Sequence, residues 1–204
     1  IAPLGQFGRR IRAFYDFTSG APVATRPTDP YGHGTHVAGL IGGNDGAYMG
    51  VAPLVSLIGL RVLDDTGAGR TSDVIAALDF AVANRARFNL RVINLSLGHP
   101  ILAPAADDPL VQAVEAAVRA GLVVVSAGNI GLNPVTGQVG YGGITSPGNA
   151  PSALSVGASN TAQTLTRTDD TVAPFSSRGP SWYDGFAKPD VVAPAQARSP
   201  DTSM

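Results

Sequence analysis

The sequence predicts an α/β fold of three layers, a mainly parallel β-sheet with helices on both faces. Two patterns and one count predict it. Short apolar runs alternate with stretches of helical period, the alternation that builds parallel sheets. The runs are apolar at successive positions, so both faces of the sheet are covered. Glycine (25) and proline (16) are abundant, which suits a loop-rich α/β domain better than a helical bundle.

Tyr31 to Gly39 (YGHGTHVAG) reads as the opening of a helix. Val55 to Leu63 (VSLIGLRVL) is a buried strand. Thr71-Ser72-Asp73 opens a helix with a hydroxyl cap and an acid in the first turn, followed by Val74, Leu78 and Val82 along one face. Arg91 to Leu97 is the next strand. Asp108-Pro109 opens a second helix, an N-cap acid with proline at the first helical position. Leu110, Val111, Val114 and Val118 form its apolar stripe and Gly121 ends it. Leu122 to Ala127 is a third strand. Residues 128 to 151 dissolve into Gly, Asn, Pro and Ser, a long loop of the kind that tends to carry function. Ala153 to Ala158 and Asp190 to Ala193 are further short strands.

Composition bounds the function. The chain has 204 residues, 44% hydrophobic and 14% charged. That supports a core and a single domain spanning 1–204, and it excludes a disordered chain. A net charge of −1 provides no basic field for nucleic acid. No apolar run is long enough to span a membrane. Cysteine is absent, which excludes disulfides, cysteine zinc sites and thiol catalysis. Glu115 is the one glutamate among 15 acids, so glutamate-based chemistry is nearly excluded.

His33 and His36 are three apart among small residues. A zinc-protease helix needs Glu beside the first His and a His spacing of four; neither is present, and no metal is assigned to the pair. Imidazole titrates near neutrality, so a histidine here can take a proton from a hydroxyl nucleophile and return it to a leaving amine. Small neighbours let substrate and nucleophile approach the ring. An esterase of the α/β-hydrolase type is excluded, since no serine lies in Gly-x-Ser-x-Gly.

The string HGTHVAG (His33 to Gly39) resembles the histidine motif of the subtilisin-like serine proteases, the subtilases. Further landmarks come in the family's order: Gly50 to Pro53 (GVAP), Ile93 to Gly98 (INLSLG), Ser126 to Asn129 (SAGN), Phe175 to Pro180 (FSSRGP) and Lys188 to Pro194 (KPDVVAP). The resemblance covers nearly the whole chain. It implies peptide-bond hydrolysis, with His33 as catalytic base, His36 in a structural position and Asn129 as oxyanion donor. Loss of the equivalent donor in a subtilisin is the reference case for this effect, about 10²–10³-fold in kcat. Ser96, Leu97 and Gly98, with Ser126, Ala127 and Gly128, match the segments flanking the family's specificity pocket. There an extended peptide pairs with backbone while one side chain enters a slot, and the resemblance implies a bulky apolar side chain in it. The implied partner is a protein or peptide substrate, with no nucleic acid and no membrane. The implied state is a monomer, secreted, with no organic cofactor. Asp64-Asp65 and Asp169-Asp170 invite calcium, which several subtilases bind; calcium stays unassigned.

The sequence departs from the family at two places. The family's Asp-Ser/Thr-Gly motif is absent. Ile1-Ala2 resembles the residues just past that motif, and Asp16 in Phe14 to Gly20 lies outside any such motif. Ser203 in Asp201-Thr202-Ser203-Met204 matches the nucleophile of Gly-Thr-Ser-Met-Ala, with Asp201 in place of Gly. The expectation is therefore a partial subtilisin-like domain, inactive by itself because it lacks the triad Asp. In a related triad Asp→Asn costs about 10⁴ in kcat. The alternative is a non-catalytic relative that binds extended peptides.

Overall fold

The structure is a computed structural model that describes residues 4–44 and 49–195. The chain divides into two compact units, Ile1–Leu90 and Arg91–Met204.

The first unit begins with a 3-10 helix, Leu4–Arg10, leading into β1 (Ile11–Asp16). Strand β2 (Val23–Ala24) folds back antiparallel on β1. Helix α1 (His33–Gly42) comes next, then β3 (Leu57–Arg61), α2 (Thr71–Ala83) and the short α3 (Arg85–Phe88). Strand β3 lies parallel to β1, so the sheet order is β2-β1-β3. Phe17 is fully buried, and its ring meets Phe80 edge-on at 5.7 Å; the Tyr15 ring lies tilted against Phe80 at 4.5 Å. Val74, Ala77, Leu78 and Ala81 are buried on α2; Val74 and Leu78 lie on the face the periodicity predicts, while Val82 is half-buried.

One detail of α2 differs from the expectation. Thr71 is the first helical residue and not the cap. The cap position is Arg70, in extended backbone with no side-chain cap hydrogen bond. Helical geometry starts one residue early, so the Thr71 hydroxyl lies within the first turn, unable to reach back as a cap does.

The second unit holds β4 (Val92–Leu95), β5 (His99–Pro100), α4 (Pro109–Ala120), β6 (Leu122–Ser126), β7 (Thr145–Ser146), β8 (Leu154–Asn160), β9 (Thr171–Val172) and β10 (Val191–Pro194). The main sheet runs β10-β8-β6-β4, all parallel, with β9 antiparallel on β8. Val123, Val125, Val114 and Ala117 are at most 1% exposed, which places the core between β6 and α4. Helix α4 starts as its sequence dictates: Asp108 caps it, receiving the Leu110 amide at 2.8 Å, and Pro109 occupies the first turn.

Parallel strands joined by helices make this an α/β fold, as the apolar runs predict. Strands β3, β4 and β6 are shorter than their runs, because pairing ends where the backbone turns toward loops, whereas β8 runs two residues past the expected Ala158. Residues 96 and 97 leave β4, and residue 127 leaves β6.

Candidate active site

The histidine half lies in the first unit. His33 is the first residue of α1, exposed, at a helix start that lacks the usual cap. Gly32 holds the cap position with φ 90°, a left-handed conformation that glycine adopts without strain. A glycine has no side chain to satisfy the free amides of the first turn. Asp29 does so from three residues upstream. Its carboxylate receives the Gly32 amide at 3.0 Å, the Thr35 amide at 2.6 Å and the Thr35 hydroxyl at 2.7 Å. Thr35 is 5% exposed, so this bond set anchors the turn that carries His33. Partial burial pushes the Asp29 carboxyl upward. The Thr35 and Gly32 donors and the positive charge of His33 outweigh it, and the net shift is downward. His36, one turn on, is also exposed.

The far end of α1 is closed by the GVAP turn. The Gly50, Val51 and Ala52 amides donate to Gly43, Leu40 and Ile41 carbonyls at 2.9, 3.1 and 2.7 Å. A Cβ on Gly50 would lie 2.6–2.7 Å from backbone atoms of Gly43, Gly42 and Ile41, so only glycine permits this approach. The Arg10 guanidinium donates to the Gly42 and Pro53 carbonyls, tying the turn to the segment ahead of β1.

The remaining described site residues lie in the second unit, at one end of one sheet. Strands β4 and β6 are parallel neighbours in register from Val92 with Leu122 to Leu95 with Val125. Their carboxyl ends therefore emerge side by side, the end of a parallel sheet where ligands bind. Ser96, Leu97 and Gly98 leave β4 there; Ser126 ends β6, and Ala127 and Gly128 leave it. The Ser126 hydroxyl reaches the Leu97 carbonyl at 3.5 Å, and the Asn94 amide group donates to the Ser96 hydroxyl at 2.9 Å.

Residues 127 to 131 are pinned from both sides. The Thr145 amide donates to the Ala127 carbonyl at 3.1 Å, and the Ser177 amide to the Gly128 carbonyl at 3.0 Å. The Ser177 hydroxyl accepts from the Ile130 amide at 3.0 Å. Gly128 has φ 110°, and the chain turns there to present Asn129. Asn129 is exposed, and its side chain makes no hydrogen bond to any described residue. Its amide is thus available to donate to a bound group.

Two contributors are invisible to sequence reasoning. Asp29 lies four residues ahead of His33, and Asp-x-x-Gly-His carries a signal only once the missing cap is known. Thr145 has no local signal at all. A Cβ on Gly98 would lie 2.9 Å from the Thr145 hydroxyl, and one on Gly128 would lie 2.8 Å from both its hydroxyl and its methyl. Thr145 therefore packs against both glycines from behind, 7% exposed.

The acidic pairs are engaged by nearby residues of the chain. Asp64 accepts from the Thr66 hydroxyl at 2.6 Å and from the Thr66 and Ala68 amides at 2.8 and 3.1 Å, and these donors hold its carboxyl below the usual carboxylate range. Asp65 pairs with Arg61. Asp169 accepts from the Thr164 hydroxyl at 2.9 Å, and Asp170 lies 3.5 Å from Arg167. Among the described residues, no group of three or more His, Asp or Glu is placed to hold a metal ion, and no helix is long and apolar enough to cross a membrane. Ser203 lies outside the described residues.

Comparison with known proteins bears on the family. Residues 13–204 match the model of the Subtilase family. The serine protease AprX of Bacillus subtilis (strain 168) is 39% identical over 220 residues, which covers 99% of this chain and 46% of AprX. Subtilisin E of the same organism is 38% identical over 182 residues, 86% of this chain and 41% of its own. The chain thus spans less than half the length of these relatives. Among solved structures, Sphericase superposes with a TM-score of 0.76 at 29% identity over 93% of this chain and 61% of its own. A family match across both units, joined to a histidine-led helix and a pinned Ser-Ala-Gly-Asn turn, assigns the chain to the subtilase family.

Proposed function

We propose that the chain carries the histidine, oxyanion and substrate-strand parts of a subtilisin-type serine endopeptidase. The observation that supports this best is the joint placement of Ser96–Gly98 and Ser126–Asn129 at the carboxyl ends of adjacent parallel strands. Both units belong to one peptidase domain in this reading, because the family match runs across their division at Leu90 and Arg91.

An extended peptide lies between the two segments and pairs with their exposed backbone. The Ser203 hydroxyl attacks the carbonyl carbon while His33 accepts its proton. The Asn129 amide and the nucleophile's own backbone N–H donate to the developing oxyanion. His33 returns the proton to the leaving amine, and water then cleaves the acyl-enzyme by the same route. The triad Asp comes from outside these 204 residues, and by themselves they hydrolyse casein little or not at all. The protein acts as a monomer on secreted-phase substrates, with no organic cofactor. Calcium has no assigned ligand.

The test is casein hydrolysis by a protein that joins these residues to an Asp-Ser/Thr-Gly segment, with and without His33→Ala. Activity that survives His33→Ala sinks the mechanism. The missing Asp motif favours one second reading, a non-catalytic peptide-binding relative. Saturable peptide binding without any turnover in the joined protein would select it.

A further inference from the structure

We infer that Asp108 is a positioning residue for substrate selection: through Ser146 it holds Thr145 as the floor of the slot between Gly98 and Gly128, which then admits small side chains. The inference rests on the peptide-site reading above.

Asp108 is 6% exposed, yet its two carboxylate oxygens have different tasks. Oδ1 caps α4, receiving the Leu110 amide at 2.8 Å. Oδ2 accepts from the Ser146 hydroxyl at 2.7 Å, across 38 residues of sequence. A helix cap needs only the first. A carboxylate spent on a fully buried serine must hold something else in place, since an unpaired buried oxygen is costly.

What it holds is β7. Ser146 pairs with His99 and Thr145 with Pro100, directly beyond Gly98. The Thr145 amide and hydroxyl both reach the Ala127 carbonyl, at 3.1 and 3.4 Å. A Cβ on Gly98 would run into the Ser146 carbonyl at 2.7 Å and the Thr145 hydroxyl at 2.9 Å, and one on Gly128 into the methyl and hydroxyl of Thr145 at 2.8 Å, so Thr145 fills the space behind both glycines. A side chain entering between the glycines meets Thr145 after a short reach. The resemblance implies a bulky apolar occupant; this packing implies alanine-sized ones.

The test uses the 204-residue chain and fluorescein-labelled hexapeptides: an all-alanine peptide and six that carry one Phe at each position in turn. Fluorescence polarisation gives each Kd. For the natural sequence, Phe at one position should weaken binding at least about tenfold. Thr145→Gly should abolish that penalty. Ser146→Ala leaves the α4 cap untouched, and Asp108→Ser keeps a cap but cannot reach Ser146; both should shrink the penalty about fivefold. Asp108→Asn, whose oxygen caps while its amide donates to Ser146, should retain it. An unchanged Phe penalty in Ser146→Ala and Asp108→Ser overturns the positioning role and leaves the peptide site standing. No saturable binding of any peptide to the natural sequence overturns the peptide site, and this inference with it.

Discussion

The Asp29 carboxylate receives both the amide and the hydroxyl of Thr35, at 2.6 and 2.7 Å, and so caps a helix that begins one residue after a glycine. The catalytic candidate His33 lies inside that bond set. Its position is therefore set by an acid outside the motif that identifies it.

Asp29→Ala should destabilise the start of α1 by about 1 kcal/mol, the usual loss for removing a capping acid. Hydrogen exchange is the direct measurement. The Gly32 and Thr35 amides should exchange faster, while those of α4 in the other unit stay unchanged. Equal exchange at Thr35 before and after the change would show that Asp29 does not cap the helix.

The same carboxylate makes the helix start acid-sensitive. Its folded pKa lies below the ordinary value of 3.8. Stability from its ionised form is present above that value and is lost as pH falls from it through the depressed folded pKa. Protection of the Thr35 amide should therefore hold at neutral pH and decline below about pH 4. The slope should vanish in Asp29→Asn.

Gly128→Ala should cost about 2–4 kcal/mol. The positive φ of 110° strains any L side chain, and the new methyl would lie 2.8 Å from Ser177 and Thr145. Urea unfolding of the variant checks this; an unchanged midpoint would mean that the turn relaxes freely.

Lys188 is 7% exposed and donates to the Ala153 carbonyl at 3.0 Å, the Pro151 carbonyl at 3.3 Å and Asp190 at 2.8 Å. Lys188→Met keeps the volume and removes all three donors. The acceptors left unpaired should cost about 1–3 kcal/mol. Partial burial raises the Asp190 carboxyl, but Lys188 and the Ser155 amide outweigh it and the net shift is downward. The pair's contribution is therefore present above the ordinary carboxylate value and fades as pH falls below it. Lys188→Met should flatten that acid limb of the stability profile.

Asn129→Ala should leave stability within about 0.5 kcal/mol, because the side chain is exposed and unbonded to described residues. In the protein completed with an Asp segment, kcat should fall about 10²–10³-fold with KM nearly unchanged. A rise in KM alone would reassign Asn129 to substrate binding.

Local chemistry is legible in the sequence. Asp108-Pro109 and Gly121 bound α4 because caps and proline act on adjacent backbone. The runs ending at Leu97 and Ala127 announce buried parallel strands because both faces are apolar. His33, Asn129 and the two Ser-to-Gly segments stand in strings that resemble a family, so residue order alone marks them as candidates. The α2 cap is misread because a hydroxyl one residue inside a helix looks like a hydroxyl one residue outside it. Tertiary structure alone decided three things: that the β4 and β6 ends emerge side by side, that Thr145 backs both glycines, and that Asp108 reaches across 38 residues to Ser146. Propensity, capping and period act over a few residues. Which distant backbones meet is decided when the sheet pairs its strands.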